Sequence, residues 1–235
     1  ACVMIRNIST VAWKIASGEL TNWPLIKEIC QSRQPVFISS GMVSIEELAD
    51  VVQFVQNEGI SIVVFQCTSE YPTPLESVGL NVIDEYRDRF NVPVGLSDHS
   101  GSPFPALAAM ANGIDVVELH LTFHKKSFGP DVSSSLEPDE FKLVCEARDA
   151  FHKMRVNPVS KSAKVDELDL MRNQFFRSLA PERDLPIGHV ITVSDVVLKK
   201  PGTGISPEKL QDILGKKLQR AVAANRLFTF EDFTK

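Results

Sequence analysis

The segment PVGLSDHSGSPFPALAAMANGIDVVELHL, residues 93–121, contains a strand, a helix and a second strand in succession. Pro93–Ser97 and Ile114–Leu121 are short apolar runs typical of buried strands, and Pro103–Asn112 between them has the length and composition of a helix. Because strands joined through a helix are usually parallel neighbours, the segment predicts one βα unit of a parallel sheet.

The same alternation fills the residues on both sides of this segment. It predicts further strands at Thr10–Ala16, Pro35–Ser39 and Ser61–Cys67, and further helices at Asn22–Ser32, Ser44–Glu58, Gly79–Phe90 and Glu137–Met154. Repeated βα units are typical of an α/β fold with a parallel sheet or barrel. We therefore predict a fold of the (β/α)8 TIM-barrel type, of which the C-terminal five βα units are present.

The composition changes after this region. Residues 155–177 are polar and charged without strong periodicity, which predicts a linker with some helix. A small unit follows, with short apolar runs, a Pro-Gly-Thr-Gly turn at 201–204 and a helix opened by Ser206 and Pro207. The predicted domains are a partial barrel at 1–154, a linker at 155–177 and a second domain at 178–235.

The overall composition excludes several classes of protein. The chain has 235 residues, of which 43% are hydrophobic, and a net charge of −5. This balance gives no reason to expect nucleic acid or a membrane as a partner. The four cysteines form no CxxC pair, which favours free thiols and a cytoplasmic location. A small or carbohydrate-like substrate is the expected ligand.

Polar residues interrupt the strands near their ends, where a parallel barrel carries its active site. Alternation places Glu118 and His120 on one face of their strand, and Ser97 and His99 on one face of the preceding strand. Two neighbouring imidazoles favour a divalent metal with water and substrate in its remaining positions. The alternative is a pair of structural or surface histidines. Lys14 interrupts the first strand and suits a phosphate or carboxylate, unless it is a surface side chain.

Other strand exits and loops carry hydroxyl, carboxylate and basic groups. The additional candidates are Ser17 and Glu19, Ser39, Ser69 and Tyr71, Asp131 in a Gly-Pro-Asp turn, and Lys200 before the Pro-Gly-Thr-Gly turn. Hydroxyl groups suit hydrogen bonding to a polyhydroxylated substrate, and a lysine beside backbone amides suits an anion. The alternative is that these residues are only helix caps and turn formers.

Taken in order, these segments resemble the sialic acid (N-acetylneuraminate) synthase family, including the spore coat polysaccharide and legionaminic-type synthases. The matching barrel segments are KIASGELTNWPLI at 14–26, PVFISSGM at 35–42, QCTSEYPTP at 66–74, PVGLSDHS at 93–100, VVELHLTF at 116–123 and GPDVSSSLEPDEF at 129–141. RSLAPERDLPIGHVIT at 177–192, KKPGTGISPEKL at 199–210 and GKKLQRAVAAN at 215–225 resemble the family's antifreeze-like, or SAF, domain.

The resemblance implies condensation of phosphoenolpyruvate with an N-acetylated amino sugar such as N-acetylmannosamine, with release of phosphate. It implies that His99 and His120 bind a divalent ion, usually Mn²⁺, with Mg²⁺ or Co²⁺ as alternatives. Phosphoenolpyruvate would be held by Lys14, Ser17, Ser39, Ser69 and Ser97. Glu19, Tyr71 and Asp131 would line the sugar and metal region, Glu118 would orient the site or assist with protons, and Lys200 would bind substrate.

The chain departs from the family pattern at three points. Lys200 replaces an arginine that is frequent in the family, Ser69 replaces an asparagine of some members, and the three upstream βα units of the family are absent. The alternative to a synthase is therefore a truncated, non-catalytic remnant that binds a sugar or a partner. The resemblance also implies a homodimer in which the SAF domain reaches the partner's barrel.

Overall fold

The computed structural model describes residues 10–234, with only the backbone described for Asp166. The described chain forms two compact units, and the boundary between them along the chain falls between Asn157 and Pro158. No helix described in residues 10–234 is long and apolar enough to cross a bilayer. The predicted free thiol Cys2 lies outside the described residues, whereas Cys30, Cys67 and Cys145 are free thiols as expected.

The first unit is part of a TIM barrel. Its six strands are all parallel and follow the chain order across the sheet. The strands are β1 Trp13–Ile15, β2 Val36–Ser39, β3 Ile62–Cys67, β4 Val94–Asp98, β5 Val116–Leu121 and β6 Ser135–Leu136, and the helices are α1 Trp23–Cys30, α2 Ile45–Asn57, α3 Leu80–Phe90, α4 Phe104–Ala111 and α5 Pro138–Arg155. The predicted α/β fold and its first five strands are thus observed, and β6 was not predicted.

Local sequence signals explain where the helices begin and end. Helix α2 begins with a capping box, in which the Ser44 hydroxyl accepts from the Glu47 amide and the Glu47 carboxylate accepts from the Ser44 amide. Helix α3 is capped by Asn91, whose amide donates to the Arg87 carbonyl and whose left-handed backbone (φ 50°) turns the chain out of the helix. Pro138 begins α5 at a position where no intrahelical N–H is needed.

The two faces of each strand have different roles. Ile38, Val64 and Leu96 are at most 1% exposed and belong to the core that the strands share with helix residues such as Leu48 and Val52. The alternate residues of the same strands point to the other face, where the polar groups lie. Packing against the helices therefore holds the strands in place. The strands in turn determine the positions of the polar side chains on their other face.

The second unit has its own hydrophobic core. Its elements are α6 Lys161–Asp166, α7 Asp169–Phe175, β7 Ser178–Pro181, β8 Val196–Lys199 and α8 Leu210–Ile213. Strands β7 and β8 are antiparallel, and the core beside them includes Leu179, Ile191 and Phe228. The segment predicted as a linker contains α6 and α7, which belong to this unit. Two Thr-x-x-Asp turns, at 192–195 and 229–232, each bury their aspartate.

We predict that Asp195→Asn destabilises the second unit by about 2–4 kcal/mol. The Asp195 carboxylate is buried and accepts hydrogen bonds from the Thr192 hydroxyl, His189 and Arg183. The Thr192 and His189 hydrogen bonds hold its pKa well below the usual range. Its contribution is therefore complete above the ordinary carboxyl pKa, near 4, and is lost as the pH falls below it.

Hydrogen exchange at the backbone amide of Phe228 tests this prediction, since that amide bonds to the Leu179 carbonyl within the unit's core. Protection should fall in Asp195→Asn at neutral pH and should fall in the wild-type protein when the solution is acidified. Asp212→Asn is the control because the Asp212 side chain is 52% exposed. Unchanged protection in Asp195→Asn would contradict the prediction.

Candidate functional site

A cleft of about 220 Å³ opens where strands β1 to β5 end. Its walls carry both charged and hydroxyl groups. Most of these groups belong to residues on the polar face of the sheet. The lining residues are Lys14, Ala16, Ser17, Ser39, Cys67, Tyr71, Ser97, His99, Glu118 and His120. Of the residues predicted from sequence, eight lie together in this cleft: Lys14, Ser17, Ser39, Tyr71, Ser97, His99, Glu118 and His120.

A charged network occupies the floor of the cleft. The Lys14 ammonium donates to both carboxylate oxygens of Glu118 at 2.7 Å, and the Ser97 hydroxyl donates to Oε1 at 2.7 Å. Partial burial raises the pKa of Glu118, but the hydrogen bonds from Lys14 and Ser97 outweigh it and hold that pKa below its ordinary value. Glu118 is therefore a carboxylate at neutral pH, able to accept a proton.

The parallel register brings these three residues together. Ser97 pairs with Glu118 across β4 and β5, whereas Lys14 is on β1, at the opposite side of the curled sheet. The contact between Lys14 and Glu118 therefore spans the interior of the partial barrel. Inward-facing residues of widely separated strands meet in this way only when the sheet is curved.

Two histidines and a tyrosine form the upper wall. The ring centres of His99 and His120 are 5.1 Å apart, and the Tyr71 ring stacks on His99 at 4.3 Å. His99 Nδ1 is 3.1 Å from the Thr68 carbonyl, which can only accept, so Nδ1 carries the hydrogen. Nε2 of His99 is left with a lone pair, 3.3 Å from the Tyr71 hydroxyl.

The electrostatics of this wall favour neutral imidazole. Burial lowers the pKa of His99, and the neighbouring His120 lowers it further. Burial also raises the pKa of the Tyr71 phenol, with a smaller contribution from negative charges that include Asp131. Neutral imidazole is the form that binds metal ions, and Nε2 of His99, which accepts from the Tyr71 hydroxyl, carries the lone pair that an ion would use.

The donor set fits a divalent ion with an incomplete protein shell. Within residues 10–234 no group of three or more His, Cys, Asp or Glu side chains is arranged to hold a metal. Two neighbouring imidazoles remain, with the Thr68 carbonyl orienting one of them from behind. Such a pair suits an ion of the Mn²⁺ to Zn²⁺ series whose other positions are open to solvent and substrate.

Cys67 is a cleft residue that the sequence pattern did not single out. Its thiol lies 3.9 Å from His99 Nδ1, and burial raises its pKa. Gly41 makes room beside it, because a Cβ at position 41 would lie 2.3 Å from the Ser69 hydroxyl and 3.0 Å from the Cys67 sulfur. Strand alternation could have indicated that Cys67 faces the cleft, because Cys67 follows Phe65 by two residues and so lies on the same face of the strand.

Four of the predicted site residues do not line the cleft. Glu19 is exposed and accepts from the Asn22 side chain at 2.8 Å, and Ser69 packs against Gly41. Asp131 is exposed at the start of a 3₁₀ turn that precedes β6. Lys200 lies in the second unit, with its ammonium 5.3 Å from the centre of the Phe175 ring. Their predicted roles remain predictions.

Comparisons with family profiles divide the chain in the same order. Residues 1–159 match the NeuB family and residues 176–234 match the SAF domain. The N,N'-diacetyllegionaminic acid synthase of Legionella pneumophila is 34% identical over 93% of this chain and 62% of that protein. The pseudaminic acid synthase of Campylobacter jejuni serotype O:23/36 is 30% identical over 97% of this chain and 66% of that protein.

Solved structures show the same relationship. A spore coat polysaccharide biosynthesis protein of Bacillus subtilis aligns with a TM-score of 0.63 and 25% identity, over 100% of this chain and 70% of that chain. The N-acetylneuraminic acid synthetase of Leptospira borgpetersenii shares the fold, with a TM-score of 0.65 and 24% identity over 73% of this chain and 62% of that chain. This chain spans 62–68% of the length of the first curated relatives. It belongs to the NeuB family and ends in a SAF domain.

Proposed function

We propose that this chain carries the catalytic cleft of a sugar-acid synthase that condenses phosphoenolpyruvate with an N-acetylated amino sugar and releases phosphate. The observation that carries the proposal is the meeting of Lys14, Glu118 and the His99–His120 pair in one cleft. A synthase of this type needs a cation for the phosphate and carboxylate, a base, and a group that polarises the sugar aldehyde. The names of the relatives, which are synthases of acidic sugars, support the same class of reaction.

Each polar group of the cleft has a role in this reaction. The Lys14 ammonium and the hydroxyls of Ser17, Ser39, Ser69 and Ser97 hold phosphoenolpyruvate. Tyr71 presents a ring and a hydroxyl to the sugar. Glu19 and Asp131, which lie outside the cleft itself, are proposed to contact the bound sugar. Lys200 of the SAF domain is also proposed to bind substrate.

The proposed reaction has two bond-making steps. C3 of phosphoenolpyruvate attacks the aldehyde carbon of the open-chain sugar, a C–C bond forms, and the aldehyde oxygen takes up a proton. Water adds at C2, and phosphate leaves with cleavage of its C–O bond, which gives the 2-keto acid. The Glu118 carboxylate accepts the proton of that water. Before substrate binds, the hydrogen bonds from Lys14 and Ser97 keep this carboxyl group ionised.

We also propose that His99 and His120 hold the divalent ion, with Mn²⁺ as the preferred species. When bound, the ion would supply Lewis-acid polarisation of the sugar carbonyl. The Thr68 carbonyl accepts from Nδ1 of His99 and so fixes its tautomer, which leaves Nε2 as the nitrogen that would bind the ion. Tyr71, stacked on His99, limits how far that ring can turn.

A cytoplasmic homodimer is the proposed form of the enzyme. Helix α7 supports the homodimer, because it exposes three apolar side chains. Leu170 is 86% exposed, and Met171 and Phe175 are more than half exposed. Apolar groups at such density are typical of a surface that another chain covers. Light scattering after size-exclusion chromatography measures the assembly, and a monomer at micromolar concentration would contradict it.

A phosphate-release assay tests the proposed function. The assay contains phosphoenolpyruvate, Mn²⁺ and one of several acceptors: N-acetylmannosamine, its 6-phosphate, or di-N-acetylated hexoses. This chain is compared with a chain extended upstream to the length of its relatives. Acceptor-dependent release by either chain supports the proposal, and the acceptor with the highest kcat/KM identifies the substrate. Sugar binding without any release by the extended chain would instead support a non-catalytic binding protein.

A further inference from the structure

An aromatic ring lies directly beneath the charged network of the cleft. Phe65 is on β3 and is only 1% exposed, and its side chain shares the inward face with Cys67. The Lys14 ammonium sits 4.2 Å from the centre of the Phe65 ring, a distance at which a cation is attracted by the ring face. Lys14 thus has two kinds of partner, the Glu118 carboxylate beside it and the Phe65 ring below it.

The position of this ring is built into the neighbouring strand. Phe65 pairs with Gly95 across β3 and β4, and a Cβ at position 95 would lie 2.5 Å from the ring. Every residue other than glycine would therefore displace the ring from its place. Phe37 packs against Phe65 from β2 with ring centres 5.7 Å apart, but Phe37 has no contact with a cation among those described for residues 10–234.

We propose that Phe65 is a positioning residue that holds the Lys14 ammonium at the floor of the cleft when a substrate anion replaces Glu118 as its partner. A lysine side chain has four rotatable bonds, and a bound phosphate competes with Glu118 for its charge. The ring face keeps the ammonium in place through this exchange, because its attraction does not use the donors that phosphate requires. This inference rests on the proposed function, in which Lys14 binds phosphoenolpyruvate.

The first experiment tests the geometry and needs no activity. In the full chain labelled with ¹³C-lysine, the ε-methylene protons of Lys14, assigned with Lys14→Arg, should resonate upfield because they lie over an aromatic face. Phe65→Leu should remove this upfield shift, and Phe37→Leu, the matched control, should retain it. An upfield shift that survives in Phe65→Leu, or no such shift in the wild-type protein, would overturn the proposal.

The second experiment separates electrostatics from packing. Mono-, di- and trifluorophenylalanine at position 65 nearly preserve the ring's shape and progressively weaken its attraction for a cation. The KM for phosphoenolpyruvate, or its Kd by calorimetry with this chain, should rise by about 3- to 10-fold across the series, with a smaller change in kcat. The same series at Phe37 should be flat. A packing role alone would leave both series flat, and this result would overturn the proposal.

The two experiments also distinguish this inference from the proposed function. If the upfield shift depends on Phe65 but phosphoenolpyruvate neither binds nor reacts, the synthase function is wrong and the Phe65–Lys14 contact stands as geometry without that role. If phosphoenolpyruvate binds with an affinity that does not change when the ring at position 65 is fluorinated, the proposed function stands and the positioning role of Phe65 is wrong.

Discussion

His120→Ala is expected to abolish tight binding of Mn²⁺ and to lower phosphate release by about 1,000-fold in the active form of the enzyme. Within residues 10–234 the structure offers two neighbouring imidazoles for the ion, and removing one leaves a single imidazole there to hold it. His99→Ala should have the same effect. Electron paramagnetic resonance measures free Mn²⁺ directly, so the binding result does not depend on turnover.

The control for this prediction is His152→Ala. His152 is an exposed residue of helix α5 and does not line the candidate cleft; it lies near Ile114 and Asp115, where β5 begins. Mn²⁺ affinity and thermal stability should match those of the wild-type protein. If His99→Ala and His120→Ala both bound Mn²⁺ with wild-type affinity, the assignment of these residues as ligands would be wrong.

Lys14→Gln is expected to lower kcat/KM for phosphoenolpyruvate by about 10- to 100-fold, which corresponds to the loss of a charged hydrogen bond to the substrate. The same change should move the acid limb of the pH profile upward. The Lys14 hydrogen bonds lower the pKa of Glu118 against the effect of partial burial, so their removal raises that pKa. A base with a raised pKa is protonated, and inactive, up to a higher pH.

Steady-state kinetics at several pH values checks this prediction, and Lys27→Gln is its control. Lys27 is an exposed residue of helix α1 and lines a different surface cleft with Arg33 and Glu58. The control should show wild-type kinetics throughout. An acid limb that stays in place in Lys14→Gln would mean that Glu118 is not the base that the profile reports.

Strand alternation was sufficient to predict much of the fold and of the site. Buried apolar runs fixed β2 to β5, and the period of two placed Ser97 with His99 and Glu118 with His120 on single strand faces. The helices predicted at Ser44–Glu58 and Glu137–Met154 begin within one residue of α2 and α5. These features are local, so the sequence alone determines them.

Features that depend on distant parts of the chain were not predictable in this way. Strand β6 has only two residues, Ser135 and Leu136, and is held by pairing with His120 and Leu121 rather than by its own propensity. The contact between Lys14 and Glu118 joins residues 104 positions apart and depends on the curvature of the sheet.

Phe65 pairs with Gly95, and Ser97 pairs with Glu118, so the strand register determines how the protein responds to insertions. A one-residue insertion within β4 would exchange its two faces, which would turn Leu96 toward the cleft and Ser97 toward the helices. Such an insertion would therefore remove core packing and cleft residues together. A variant that loses stability in this way would also lose its binding site. Insertions in the loops that lead into the strands should be tolerated much better, because they leave this alternation intact.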